Sequence, residues 1–79
     1  MKKRYAIAVE AGERNFSAYI PDVDGCISTG ASLAEVRANI HEALTAHLAW
    51  MADDGDPIPE PRTTVGYVEV EVPDPVTAA

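Results

Sequence analysis

Residues 30–44 read Gly30-Ala31-Ser32-Leu33-Ala34-Glu35-Val36-Arg37-Ala38-Asn39-Ile40-His41-Glu42-Ala43-Leu44, and this stretch decides the fold. Ser32 and Glu35 have the spacing of a capping box, in which the serine hydroxyl accepts from the amide three residues on and the glutamate reaches back. The pattern predicts a helix from Leu33 to about Asp53. At about 100° per residue, Leu33, Val36, Ile40, Leu44, Leu48 and Met51 form one stripe. Ala34, Ala38, Ala43, Ala46, Ala49 and Ala52 raise the helical propensity, and Gly55 is placed to cap the end. A helix with one apolar face needs a layer to cover.

That layer lies upstream. Over residues 4–10, Tyr5, Ile7 and Val9 alternate with Arg4, Ala6, Ala8 and Glu10, the period of a half-buried strand. Residues 11–15 have hairpin-loop length with a glycine inside. A second strand is predicted over residues 16–20, with Phe16, Ala18 and Ile20 on one face and Pro21 as its stop. Pro21-Asp22-Val23-Asp24-Gly25 reads as a turn, and Cys26-Ile27-Ser28-Thr29 as a short third strand.

Downstream of the helix, Asp56-Pro57-Ile58-Pro59-Glu60-Pro61 is a stiff connector. Alternation resumes over residues 64–72, where Val68, Val70 and Val72 interleave with Tyr67, Glu69 and Glu71, and predicts a returning fourth strand. The expected architecture is α+β in two layers, β-β-β-α-β: three antiparallel strands, one long helix packed on the sheet and the returning strand. Residues 1–72 are expected to form one domain, and residues 73–79 a fraying tail.

Size and charge bound the rest. A chain of 79 residues with one cysteine, Cys26, has no internal disulfide and a marginal single core, so a homodimer or higher oligomer is expected. No apolar run approaches a membrane span, and the start lacks a secretory leader; a cytoplasmic protein without membrane contact is the expectation. The net charge is −7, and residues 15–79 carry eleven acids against two bases, a balance of −9. Such a surface repels nucleic acid and attracts basic proteins.

No catalytic constellation stands out, and no enzyme activity, cofactor or metal is expected. His41 and His47 are six apart, about 240° round the helix, whereas a shared metal needs a spacing of four. His47 lies in the apolar stripe and reads as a packed, hydrogen-bonded histidine; His41 lies on its rim. Cys26 has no adjacent base and reads as a small buried hydrophobe. Glu10, Asp22 and Asp24 offer carboxylates for a divalent ion, but aspartates beside a turn glycine are what turns use.

The helix end is different. Trp50 sits off the stripe, either lying over the connector prolines or serving as an interface anchor. Asp53, Asp54, Asp56 and Glu60 crowd the negative pole of the helix dipole, where local stability would favour cations. Trp50, Asp53, Asp54 and Asp56 are therefore the expected contact residues for a basic partner.

Taken in order, the strand Tyr5-Ala6-Ile7-Ala8-Val9, the phrase Ala18-Tyr19-Ile20-Pro21-Asp22-Val23-Asp24-Gly25-Cys26, the cap Gly30-Ala31-Ser32-Leu33-Ala34-Glu35-Val36, the helix phrase Asn39-Ile40-His41-Glu42-Ala43-Leu44 and the connector Asp54-Gly55-Asp56-Pro57-Ile58-Pro59-Glu60-Pro61 resemble the HicB-like antitoxin family. The resemblance covers residues 5–72. It implies a partial ribonuclease H-like fold without that enzyme's catalytic acids. It also implies a partner: a small basic toxin of the HicA kind, which cleaves messenger RNA and whose active site the antitoxin covers. Many members add a C-terminal DNA-binding module. This sequence reads as the core domain, so operator binding is not expected of it. The alternative is an orphan core domain that self-associates and binds another protein or a ligand.

Overall fold

Ser32 opens the helix as its neighbours require. Its backbone is extended (φ −144°, ψ 167°), and its Oγ accepts from the Glu35 amide at 3.1 Å. The computed structural model describes residues 1–75. From this cap α1 runs Leu33–Asp53. It ends in a Schellman motif: Gly55 takes φ +76°, its amide donates to the Ala52 carbonyl (3.1 Å), and the Asp56 amide donates to Met51 (2.9 Å).

Three strands precede the helix: β1 (Ala8–Ala11), β2 (Phe16–Tyr19) and β3 (Ile27–Gly30). They form an antiparallel sheet in the order β1-β2-β3, with Ala8 opposite Tyr19 and Phe16 opposite Gly30. β1 is shorter than its alternation predicts. With Ala8 facing Tyr19, residues 4–7 run past the end of β2, where the Val23 amide donates to Ile20 (3.1 Å) and the chain turns away.

The helix packs on β3 and β2. Ala18, Ile20, Val23, Cys26, Val36 and Ile40 are buried between the layers, with Tyr5, Ile7, Val9, Phe16, Ala43 and Leu44 half-covered around them. Gly30 sets the spacing. A Cβ there would lie 2.5 Å from the Val36 nitrogen and 2.8 Å from its Cα, so only glycine lets β3 meet the helix backbone. The Asn39 Nδ2 then donates to the Thr29 carbonyl (2.8 Å) across the same contact.

Two expectations need correction. Leu33, assigned to the buried stripe, is exposed. The close approach is to Glu35 and Val36, and Leu33 precedes it with no sheet beneath. The returning fourth strand does not form either: residues 64–72 make no ladder. Alternation specifies which side chains share a face, but the partner of a strand is a tertiary matter. The expected tail of residues 73–79 falls partly outside the described residues; residues 73–75 are exposed.

The unpaired arm dominates the outline. The radius of gyration is 16.7 Å and the longest dimension 60 Å, against roughly 12 Å for the radius of a compact chain of this length. Among the described residues, no helix is long and apolar enough to cross a membrane.

Candidate partner-binding surface

The last turn of α1 carries no basic residue. Trp50, Asp53 and Asp54 are three and four apart and so share a face; all three are exposed, as is Asp56 beyond the cap. Trp50 stands largely open to solvent. Its side chain is 62% exposed, with one aromatic neighbour, the half-buried His47, met edge-on at a centroid distance of 6.0 Å. The aspartates have no ion-pair partner among the described residues. The result is a large apolar ring beside unneutralised carboxylates at the negative pole of a helix.

Glu60, the fourth acid of this group, is used differently. Lys3 Nζ approaches its Oε1 at 2.6 Å, and the neighbouring Tyr5 hydroxyl donates to the Pro59 carbonyl at 2.6 Å. These two contacts lay the connector across the start of the chain. A third pins its end. Asp22 Oδ2 accepts from the amides of Arg62 (2.8 Å) and Thr63 (2.9 Å), and Oδ1 accepts from the Thr63 hydroxyl (2.8 Å). Bonds from the Thr63 and Arg62 amides, helped by the Thr63 hydroxyl, hold the Asp22 carboxyl below the usual aspartate value. The clamp escaped sequence reading because its partners lie about forty residues away.

The remaining candidates stay apart. Asp22 is occupied by the connector, and no group of three His, Cys, Asp or Glu side chains converges among the described residues. Cys26 is buried, and burial pushes its thiol up, away from the thiolate a nucleophile needs. His41 is exposed beside a groove of about 270 Å³ that Tyr5, Leu44, Leu48 and Ile58 also line. His47 is half-buried and makes the ring contact described above.

The sequence profile of the HicB-like antitoxins of bacterial toxin–antitoxin systems matches residues 5–74. An uncharacterized 14.9 kDa protein from the rep–hol intergenic region of Haemophilus phage HP1 (strain HP1c1) is 31% identical over 64 residues. The match takes in 81% of this chain and 48% of that protein, so the chain spans about half the length of the curated relative it matches. Among solved structures, a chain of the HicA3 and HicB3 toxin–antitoxin complex is similar at a TM-score of 0.66 and 32% identity, covering 76% of this chain and 70% of that one.

Proposed function

The chain belongs to the HicB-like antitoxins of bacterial toxin–antitoxin systems, and from that premise we propose that it neutralises a small basic HicA-like toxin by binding it and covering its active site. The observation that carries the reading is the family match across residues 5–74. The charge supports it: eleven acids against two bases over residues 15–79 suit a basic protein and repel RNA. The work is done by binding, without nuclease chemistry of the chain's own.

Contact is made through the end of α1, with Trp50 as apolar anchor and Asp53, Asp54 and Asp56 receiving the toxin's lysines and arginines. Acids at the negative helix pole forgo about 0.3–1 kcal/mol each that cations would contribute there. A basic partner offsets that cost. Trp50→Ala is expected to raise the dissociation rate and cost about 2 kcal/mol of affinity. The Asp53/Asp54/Asp56→Asn triple is expected to slow association and flatten its salt dependence.

The test is a kinetic binding titration with a small basic HicA-like protein, taken from the neighbouring reading frame where one is encoded there, together with an assay of its RNA cleavage. Loss of cleavage on adding the chain supports the antitoxin reading. No binding, or RNA cleavage by the chain itself, overturns it. If the triple variant associates as fast as wild type at low salt, the interface lies elsewhere.

A further inference from the structure

The six cations of this acidic chain are not spread evenly. Lys3, Arg4 and Arg37 line adjoining grooves that share Tyr5 and form one trough between α1 and the segment leading into β1. Arg37, His41, Leu44 and Leu48 make the helical wall; their spacings of four, three and four put them on one face. Residues 4–7, which run past the end of β2, make the other wall. The connector adds Ile58, held close by the bond from the Tyr5 hydroxyl to the Pro59 carbonyl.

The chain carries thirteen acids, yet among the described residues none lines this trough. Two touch its border, and both are occupied. Glu60 is paired with Lys3 at 2.6 Å, and Asp22 accepts from the amide and hydroxyl of Thr63. Arg4 and Arg37 are exposed and have no ion-pair partner among the described residues. Two like charges left together on a protein of charge −7 add nothing to its solubility and repel one another. An anion between them would remove that cost.

We propose that the trough binds a small phosphate monoester with an apolar body, the phosphate on Arg4 and Arg37 and the body along Tyr5 toward Leu44, Leu48 and Ile58. Charge selects phosphate over carboxylate. With Lys3 held by Glu60, the two arginines leave two free positive charges; a phosphate monoester carries about −1.5 to −2 at neutral pH, a carboxylate only one charge. Guanidinium forks also meet phosphate oxygens in paired hydrogen bonds. The cationic end is a groove of about 350 Å³, within the roughly 300–1,000 Å³ of small-molecule sites. Net charge selects a small ligand over nucleic acid, because the whole chain repels a polyanion. The same arginines repel a basic protein, so this site stands apart from the helix end and rests on no part of the toxin reading.

The test is an amide NMR titration of the isotope-labelled full chain, without any partner, using phenyl phosphate as the probe. Saturable shifts are expected in residues 4–7 and 37–48. Arg4→Gln and Arg37→Gln are each expected to weaken binding about tenfold or more, since each removes a charged hydrogen-bond donor. Both side chains are exposed, so the helical circular dichroism should be kept. Arg14→Gln removes the same charge outside the trough and should leave binding unchanged. Varying the probe tests the site without touching the fold: inorganic phosphate, which has no body, and benzoate, which has one charge, should both bind more weakly. Absence of saturation overturns the proposal, as does an equal loss in Arg14→Gln. Inorganic phosphate or benzoate binding as tightly as phenyl phosphate overturns the ligand class. Displacement of the probe by single-stranded RNA without a terminal phosphate would assign the trough to nucleic acid instead.

Discussion

Asp22 sits in a turn and governs a segment forty residues away. Its two carboxylate oxygens accept three bonds from Arg62 and Thr63, which fixes where the arm leaves the domain. Those bonds favour the ionised form, so the folded-state pKa lies below the unfolded one. The stabilisation is therefore fully present above the ordinary aspartate value of 3.8 and is lost as pH falls through and below it. Melting curves taken down to acid pH should show this loss in wild type and a shallower dependence in Asp22→Asn. At neutral pH the same variant should speed exchange of the Thr63 amide. Equal exchange in the two proteins at neutral pH would remove the clamp from this account.

At the scale of elements, the contact between β3 and α1 depends on a missing side chain. Gly30→Ala puts a methyl group 2.5–2.9 Å from backbone atoms of Val36 and Glu35, which cannot rotate aside. Overpacking of this kind costs about 1–3 kcal/mol, and in so small a domain each kcal/mol lowers Tm by roughly 4–8 °C. Gly66→Ala is the matched control, since no atom lies within 4 Å of its added carbon. Thermal unfolding of both variants checks the pair: a large drop for the first and little change for the second. The helix ends themselves were legible, because Ser32, Glu35 and Gly55 act on amides and carbonyls within a few residues. The exposure of Leu33 was not legible, because periodicity gives an angle round the helix and not where the sheet ends.

The whole molecule is an acidic body with a long arm. Its charge of −7 acts beyond any single contact and steers basic proteins toward it. Association of the proposed basic partner should therefore slow as salt rises, since screening shortens from about 10 Å at 0.1 M to 3 Å at 1 M. Dissociation, set by the buried part of the interface, should change much less. Stopped-flow measurements across that range separate the two. A salt-independent association rate would mean that net charge plays no part in recognition.

What the sequence determined by itself is whatever depends on neighbours along the chain. The three strands ahead of the helix (the first over a shorter span than its alternation), the turn glycine at Gly25, the capped helix and the burial of Ile20, Val36, Ile40 and Cys26 follow from periods, turns and caps, and the structure has them. The acidic helix end with Trp50 was equally visible, because consecutive turns of one helix bring those residues together. Only the tertiary structure decided which acids are free and which strand has a partner. Glu60 looked like part of the acidic cluster and proves to be paired with Lys3; Asp22 looked like a turn residue and holds Thr63. Residues 64–72 have a strand's alternation without a strand's ladder. The physical reason is common to all three. A salt bridge, a long-range hydrogen bond and a ladder each need a second group brought up from far along the chain, and local periodicity carries no record of where that group will be.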